Sequence, residues 1–315
     1  MHKDNLLILR GIACLTVVVS HLSPTLIVYG FEAVWLFFML SGFLLTQGFL
    51  TGRFSAARQF YINRAKRLLP VFYVAQITFI AVTAMGFAAS VFPKPQWVRE
   101  ALILTAAPWA PYVGMIKSVN SPIWSVVLEI HFVIILPWIV RYRMALWAAI
   151  VAWFCMLPFL GDIWPVVYES HYYNAGFFLL GILAAKTKKQ KLPTWFALIA
   201  PIAFVGVDTL AHHDLQAALI CGPFVLAPAY FLLLLSLDTD FQKRLPTQYR
   251  ELIPRSLTGL LEIVGAMSYS LYLVHKFVGI NFGVIAAFVV ATIMYVEVES
   301  RFRYSRSNAP HLAST

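Results

Sequence analysis

Hydrophobic residues fill the chain in long continuous runs that are separated by short polar segments, most of them basic. The runs are roughly 18–25 residues long, which is the length that an α-helix needs to cross the hydrocarbon core of a bilayer. The pattern predicts an all-α polytopic membrane protein with about ten transmembrane helices. They are placed at residues 6–26, 31–50, 69–91, 123–140, 144–160, 173–185, 195–209, 217–237, 257–275 and 279–298.

Composition and charge agree with a membrane protein and give its orientation. Hydrophobic residues make up 60% of the chain and charged residues 12%, whereas soluble domains average about 25% charged residues. Most of the 24 lysines and arginines fall in alternate segments, which the positive-inside rule places in the cytoplasm together with both termini. The outer segments hold Lys94, Arg99, Lys117 and Lys276. The net charge of +10 then reflects the orientation of the chain in the membrane. It indicates the lipid bilayer as a partner and argues against binding of nucleic acid.

The runs indicate one transmembrane domain over residues 1–300, followed by a short basic cytoplasmic tail over residues 301–315. The first run has no basic leader and no small-residue cleavage site, so it is interpreted as a retained span and not as a signal peptide. No internal repeat is visible, which weakens the case for a transporter built from inverted halves. The cluster His212, His213 and Asp214 has no further ligand pattern near it, so no metal is expected.

Two ionisable residues, Arg10 and His21, lie inside the first span. Eleven residues turn a helix by about three full turns plus ~20°, so the two side chains share one face and lie roughly 16 Å apart along the axis. Lipid solvates neither group, so this face is expected to point into the protein. Two interpretations follow: a structural pair in which Arg10 snorkels inward and His21 bonds another helix, or a polar pathway that crosses the membrane.

Glu129 lies in the fourth span, within the segment WSVVLE. Its predicted depth is roughly 9 Å below the outer surface, close to that of His21. A carboxylate beside a histidine fixes its tautomer and raises its basicity, which is how a general base is built. The alternative is that Glu129 pairs with His131, Lys117 or a backbone group near its helix N-terminus.

Further candidates lie on the path between the two faces of the membrane. Arg64 and Arg67 precede the third span three residues apart, and paired guanidinium groups suit a phosphate or pyrophosphate. Anchoring to anionic lipid is the competing and, for these two residues alone, the favoured explanation. Ser41 and Gly42 lie near mid-membrane in FFMLSGFLL. Small residues there either allow close helix packing or leave room for a slender ligand.

Together these motifs resemble the acyltransferase-3 family, bacterial membrane acyltransferases that O-acetylate surface polysaccharides and related acceptors. The resemblance is carried by Arg10-x10-His21, FFMLSGFLL, Arg64-x2-Arg67 before LLP, WSVVLE, and SYSLYLVH at residues 268–275. It spans nearly the whole chain in the family's order and includes the ten-helix plan.

Two departures from the family pattern stand out. Trp35 follows Ala33 and Val34 where the family often has Gly-Val-Asp, with Glu32 displaced from that position. This departure is expected to retune the acceptor side. The segment 299–302 lacks the proline of the family's Glu-x-Pro-Phe and has Arg301 in its place, which is expected to affect only how the last helix ends.

The resemblance implies a membrane O-acyltransferase, in particular an O-acetyltransferase, of the bacterial cytoplasmic (inner) membrane. It implies transfer of an acyl group from cytoplasmic acyl-CoA to a hydroxyl of a surface or exported glycan or of a lipid-linked saccharide. Acetyl-CoA or another acyl-CoA is then the donor substrate, and no permanently bound cofactor is expected. The resemblance implies that His21 is catalytic and that Arg10, Ser41, Gly42, Arg64 and Arg67 bind the donor. Glu129 is the second catalytic candidate because of its depth beside His21. The acceptor-side candidates are Trp124, Ser125, Tyr172 and Asn174, since aromatic and amide groups suit sugar binding.

An interfacial aromatic belt is the competing explanation for most aromatic residues of the outer side. Direct transfer and a covalent acyl-histidine or acyl-serine route are both compatible with these residues. The rival class of protein is a transporter or flippase for a lipid-linked saccharide, which would use the same intramembrane charges as a substrate path. It predicts no covalent transfer of the acyl group.

Overall fold

The computed structural model describes residues 3–23, 25–27, 30–52, 57–87, 100–101, 120, 122–160, 171–187, 192–237 and 255–304. All of the regular structure in these ranges is helical, which confirms the predicted all-α class. The helices are α1 (Lys3–Leu22), α2 (Phe31–Leu50), α3 (Ala57–Ala84), α4 (Ile123–Arg141), α5 (Arg143–Leu160), α6 (His171–Thr187), α7 (Ile199–His213), α8 (Leu215–Ser236), α9 (Arg255–Ala266), α10 (Ser268–Phe282), α11 (Val284–Met294) and α12 (Ser300–Tyr304). A 3₁₀ turn at Thr194–Leu198 leads into α7, and a π-helical turn at Tyr295–Glu299 joins α11 to α12.

Six helices in the described ranges are long and apolar enough to cross a bilayer. They are α1, α2, α3, α4, α7 with its preceding 3₁₀ turn, and α8, and the bent pair α9–α10 would make a seventh. The chain is therefore a multi-pass membrane protein, while the count of ten spans and the orientation of the termini stay predictions. The helix α6 has 17 residues and is too short to be counted among these spans. Much of it is enclosed by protein and not by lipid, since Phe177, Phe178 and Ile182 are fully buried.

The third helix begins at Ala57, so the predicted start at residue 69 was wrong. Its first turns carry the basic segment that the sequence pattern assigned to a loop. Lysine and arginine are good helix formers, so the helix continues past the end of the apolar run. Pro70 lies inside this helix.

The ninth predicted span, 257–275, is not one continuous helix. The chain bends by 81° at Met267, between α9 and α10. Both helices pack on α1, and the contact between α1 and α9 is close: a Cβ added at Gly11 would lie 2.2 Å from the Leu261 carbonyl oxygen, and one at Gly265 would lie 1.9 Å from that of Leu7. The bend places α9 and α10 against different parts of α1.

A second pair of glycines joins α2 to α6. A Cβ added at Gly42 would lie 2.2 Å from the Phe178 carbonyl oxygen, and one at Gly181 would lie 2.0 Å from that of Met39. Glycine therefore permits the close backbone approach that small residues provide in membrane helices. The packing interpretation of Gly42 is confirmed, and its assignment to the donor site stays a prediction.

Candidate active site

The face of α1 that carries Arg10 and His21 points at α10. Arg10 Nε donates a hydrogen bond to Ser268 Oγ at 3.3 Å. His21 Nδ1 lies 3.2 Å from Nε2 of His275. Both side chains thus contact the same helix, which confirms that they share a face directed into the protein.

A cavity lies between α1, α2, α4 and α10, and the empty space in it and at its open mouth is about 410 Å³. Apolar and polar groups share its walls, and its ionisable residues include one basic and one acidic side chain. Its lining consists of Arg10, Val34, Phe37, Phe38, Ser41, Ser125, Val126, Glu129, Ser268, Tyr269 and Tyr272. Four of the predicted site residues therefore line one cavity, namely Arg10, Ser41, Ser125 and Glu129. Trp124 lies behind this wall, where its ring packs edge-on against the lining residue Phe38 at a centroid distance of 6.5 Å.

Around Arg10, the cavity wall combines a cation, an aromatic face and a carboxylate. The guanidinium carbon of Arg10 lies 5.9 Å from the centroid of the Phe37 ring, within the range of a cation–π contact. Ser41 Oγ donates to Glu129 Oε1 at 2.8 Å. The wall therefore offers both a fixed positive charge and a carboxylate oxygen to a bound polar group.

Tyr272 ties the cavity to the histidine pair. Its hydroxyl oxygen lies 2.6 Å from Ser125 Oγ, in the cavity wall. Its backbone carbonyl oxygen lies 2.7 Å from Nδ1 of His275, less than one helical turn further along α10. One residue thus contacts the cavity through its side chain and the histidine pair through its backbone.

His21 and His275 form a direct imidazole pair. Their ring centroids are 5.0 Å apart, and the rings are tilted by 60°. His275 is completely buried, and His21 is partly buried. The second contact of His21 Nδ1 is the backbone carbonyl oxygen of Val17, at 3.0 Å.

The predicted contact between His21 and Glu129 is not formed. His21 bonds His275 and Val17, and Glu129 bonds Ser41. The three partners considered as alternatives for Glu129 did not include Ser41 either. Equal depth in the membrane does not fix which helices are neighbours, and the helix beside His21 is α10. The catalytic roles of His21 and Glu129 stay predictions, now without this contact.

Arg64 and Arg67 lie three residues apart on α3, as predicted, in different surroundings. Arg64 lines an apolar groove with an empty volume of about 980 Å³ between α3 and α4, with Leu68 and Val133 among its walls. Arg67 is partly buried and precedes Leu68, whose carbonyl oxygen accepts a hydrogen bond from the cavity-lining Tyr269. Arg67 is therefore the arginine of the pair that lies beside a cavity contact.

The acceptor-side assignments have mixed outcomes. Ser125 lines the cavity, and Trp124 packs beside it. Asn174 on α6 is completely buried, so it does not form part of an exposed outer surface. The side chain of Tyr172 lies outside the described residues.

The two departures from the family pattern have structural explanations. Trp35 is buried and stacks on Phe177 with ring centroids 4.9 Å apart, so it packs α2 against α6. Glu299 is completely buried and accepts a hydrogen bond from Ser270. The chain continues helically past Glu299 to Tyr304, and the expected effect of the missing proline on how the last helix ends stays a prediction.

His275 is the residue that sequence reasoning missed, although it belongs to the segment SYSLYLVH. Positions 268, 272 and 275 recur at the spacing of one helical face, and Ser268, Tyr272 and His275 all contact site residues. This periodicity could have identified His275 from the sequence, because polar residues on one face of a membrane helix indicate that the face points into the protein.

Comparisons with known proteins show which family the chain belongs to. A family model described as an acyltransferase domain, that of the acyltransferase-3 family, matches residues 4–296. The chain is 28% identical over 141 residues to a protein of Listeria monocytogenes named peptidoglycan O-acetyltransferase OatA. The match covers 41% of this chain and only 22% of that relative, so the relative is much longer than the matched segment. No solved structure matches. Because the family model covers nearly the whole chain, this protein belongs to the acyltransferase-3 family.

Proposed function

We propose that this protein is a membrane O-acetyltransferase of the bacterial cytoplasmic membrane, which moves an acetyl group from acetyl-CoA to a hydroxyl of a surface or exported glycan. The observation that carries the proposal is the cavity on the inward face of α1, with Arg10 and Glu129 in its wall and the His21–His275 pair next to Tyr272. Family membership supports acyl transfer. The similarity to a Listeria peptidoglycan O-acetyltransferase supports an O-acetyl product on a glycan.

The donor is proposed to enter from the cytoplasm, where the charge pattern places the start of α3. Arg64 and Arg67 would bind its phosphate groups, because guanidinium groups make charge-assisted hydrogen bonds to phosphate. Arg67 is the better placed of the two, since its neighbour Leu68 bonds the cavity-lining Tyr269. The pantetheine arm would then pass through the cavity near Arg10 and Ser41, and its acyl end would reach toward His21.

In the proposed reaction, His21 acts as general base on the acceptor. The imidazole takes the proton of the acceptor hydroxyl, and the oxygen attacks the thioester carbonyl carbon. A C–O bond forms, the C–S bond breaks with its electron pair on sulfur, and the coenzyme A thiolate takes up the proton that the imidazolium releases. Glu129 contributes through the cavity, where it orients the Ser41 hydroxyl and balances the charge of Arg10.

A covalent route through Ser41 uses the same cavity. The Ser41 hydroxyl donates to a carboxylate at 2.8 Å, which is an arrangement that can activate a serine nucleophile. The route requires an acyl-serine that forms without acceptor. Single-turnover reactions with labelled acetyl-CoA and no glycan, followed by mass spectrometry of peptides that contain Ser41, separate it from direct transfer.

The test of the function is acetyl transfer in inside-out membrane vesicles that contain the native glycan acceptor. Labelled acetyl-CoA is supplied to the cytoplasmic face, and label is followed into the glycan and lipid fractions. We expect transfer by the wild type and a loss of about 10²–10⁴-fold for His21→Ala, the usual contribution of general acid–base catalysis. His212→Ala is the matched control, because the His212 side chain is 40% exposed and lies away from the cavity.

Three other results would contradict parts of the proposal. No transfer by the wild type, with acetyl-CoA and longer acyl-CoA donors both tested, would rule out the enzyme and leave a transporter or flippase as the better account. Full transfer by His21→Ala would retain the reaction and reject His21 as its base. An equal loss in His212→Ala would show that the loss in His21→Ala is not specific to the site.

A further inference from the structure

We propose that His275 is the positioning residue that fixes the tautomer of His21 and so leaves Nε2 of His21 as the basic nitrogen. This inference rests on the proposed function, in which His21 is the general base. It assigns a role to a fully buried imidazole that the proposed reaction does not otherwise use. The argument depends only on which of the contacting atoms can donate a hydrogen bond.

The first step concerns His275. Its Nδ1 lies 2.7 Å from the backbone carbonyl oxygen of Tyr272. A carbonyl oxygen only accepts hydrogen bonds, so Nδ1 of His275 carries the proton. In the neutral imidazole the other nitrogen, Nε2, then has a free lone pair and is an acceptor.

The second step concerns His21. Its Nδ1 faces two acceptors, the carbonyl oxygen of Val17 at 3.0 Å and Nε2 of His275 at 3.2 Å. Nδ1 of His21 therefore carries the proton and shares it between them. The Val17 carbonyl already accepts the backbone N–H of His21 within the helix, so His275 is the acceptor with unused capacity. Nε2 of His21 is left with the lone pair.

The third step connects this tautomer to catalysis. When Nε2 of His21 accepts a proton, its Nδ1–H continues to donate to the neutral His275, which stabilises the imidazolium. The same hydrogen bond holds the ring in one orientation, as an orienting partner does for other catalytic histidines. Because Tyr272 bonds His275 through its backbone and Ser125 through its hydroxyl, the pair is fixed relative to the cavity.

Two substitutions that differ by one methylene group separate this role from simple packing. In His275→Gln the side-chain amide reaches the position of Nε2, where its oxygen can accept from His21. In His275→Asn the amide reaches only the position of Nδ1, where its NH₂ group can donate to the Tyr272 carbonyl but no acceptor faces His21. We expect His275→Asn to lower kcat by about 10–100-fold, the size of effect seen when the orienting partner of a metal-bound histidine is removed. We expect His275→Gln to stay within about 3-fold of the wild type, less than the loss of one neutral hydrogen bond.

The Michaelis constant for acetyl-CoA is expected to change by less than about 2-fold in both variants, because the cavity lining is intact. An equal fall of kcat in both variants, or no fall in either, would overturn the inference. Equal melting temperatures in detergent show that the variants are folded and that the comparison is valid.

A spectroscopic measurement on the wild type tests the tautomer without any folding concern. ¹⁵N-histidine NMR of the protein in nanodiscs reports which ring nitrogen carries the proton, and the signal of His21 is the one that disappears in His21→Ala. The inference requires protonation at Nδ1 of His21, and protonation at Nε2 alone would overturn it. If His21→Ala transfers acetyl groups normally, the assignment of the base fails. If it does not, and His275→Asn keeps the wild-type kcat, only the present inference fails.

Discussion

Arg10 and His21 lie on one face of α1 and contact the same helix, but their surroundings differ. Arg10 lines the cavity, bonds the Ser268 hydroxyl and lies over the Phe37 ring. His21 is not a lining residue of that cavity and contacts an imidazole and a backbone carbonyl. Arginine keeps its charge at any physiological pH, whereas histidine gains and loses a proton readily. This difference supports the proposed roles of the two residues, which are donor binding for Arg10 and proton transfer for His21.

The largest effect among the further tests is expected at Arg10. Arg10→Gln removes the fixed charge from the cavity wall, so the Michaelis constant for acetyl-CoA should rise by about 10–100-fold, since hydrogen bonds to charged groups contribute about 1.5–3 kcal/mol. The value of kcat should change less, in contrast to His21→Ala. Steady-state transfer assays over a range of donor concentrations measure both constants.

Arg10→Lys is the matched control, because it keeps the charge and loses only the planar guanidinium geometry. It should recover part of the donor affinity. A fall in kcat with an unchanged Michaelis constant in Arg10→Gln would remove the distinction between the two residues of α1.

The next largest effect is expected at Gly42, which is adjacent to the cavity residue Ser41. A substitution there distinguishes a role in helix packing from a role in donor binding. Gly42→Ala places a Cβ against the Phe178 carbonyl of α6, so we expect a loss of about 1–3 kcal/mol in stability from overpacking. Thermal unfolding in detergent measures it. Gly206→Ala in α7 is the control, because a Cβ there meets no atom within 4 Å. Unchanged stability with a weakened affinity for acetyl-CoA would favour the donor-binding assignment.

The smallest effect is expected at Ser125. Ser125→Ala removes a neutral hydrogen bond with Tyr272, and such a bond contributes about 0.5–1.5 kcal/mol. Acetyl transfer should therefore fall by about 2–10-fold, because Tyr272 would be held less firmly between the cavity and His275. The hydroxyl of the partly exposed Ser300 donates to the Val296 carbonyl of its own helical segment, so Ser300→Ala is a suitable control. A larger loss than that of Arg10→Gln would assign Ser125 a direct role in the reaction.

The sequence predicted the cavity residues better than it predicted their contacts. Arg10, Ser41, Ser125 and Glu129 were all singled out, and all four line one cavity. The partner of Glu129 was wrong, because depth along a helix says nothing about the direction in which the side chain points. Glu129 reaches Ser41 on α2, which no pattern within α4 encodes.

The amino-acid sequence by itself determined that the chain is a helical membrane protein. Long apolar runs must satisfy their backbone hydrogen bonds internally in lipid, and helices do so. It also determined that Arg10 and His21 share a face, because that follows from helical geometry alone. Only the tertiary structure decided that His275 meets His21. The bend of 81° at Met267 and the glycine contact between α1 and α9 set the position of α10, and such packing depends on several helices at once.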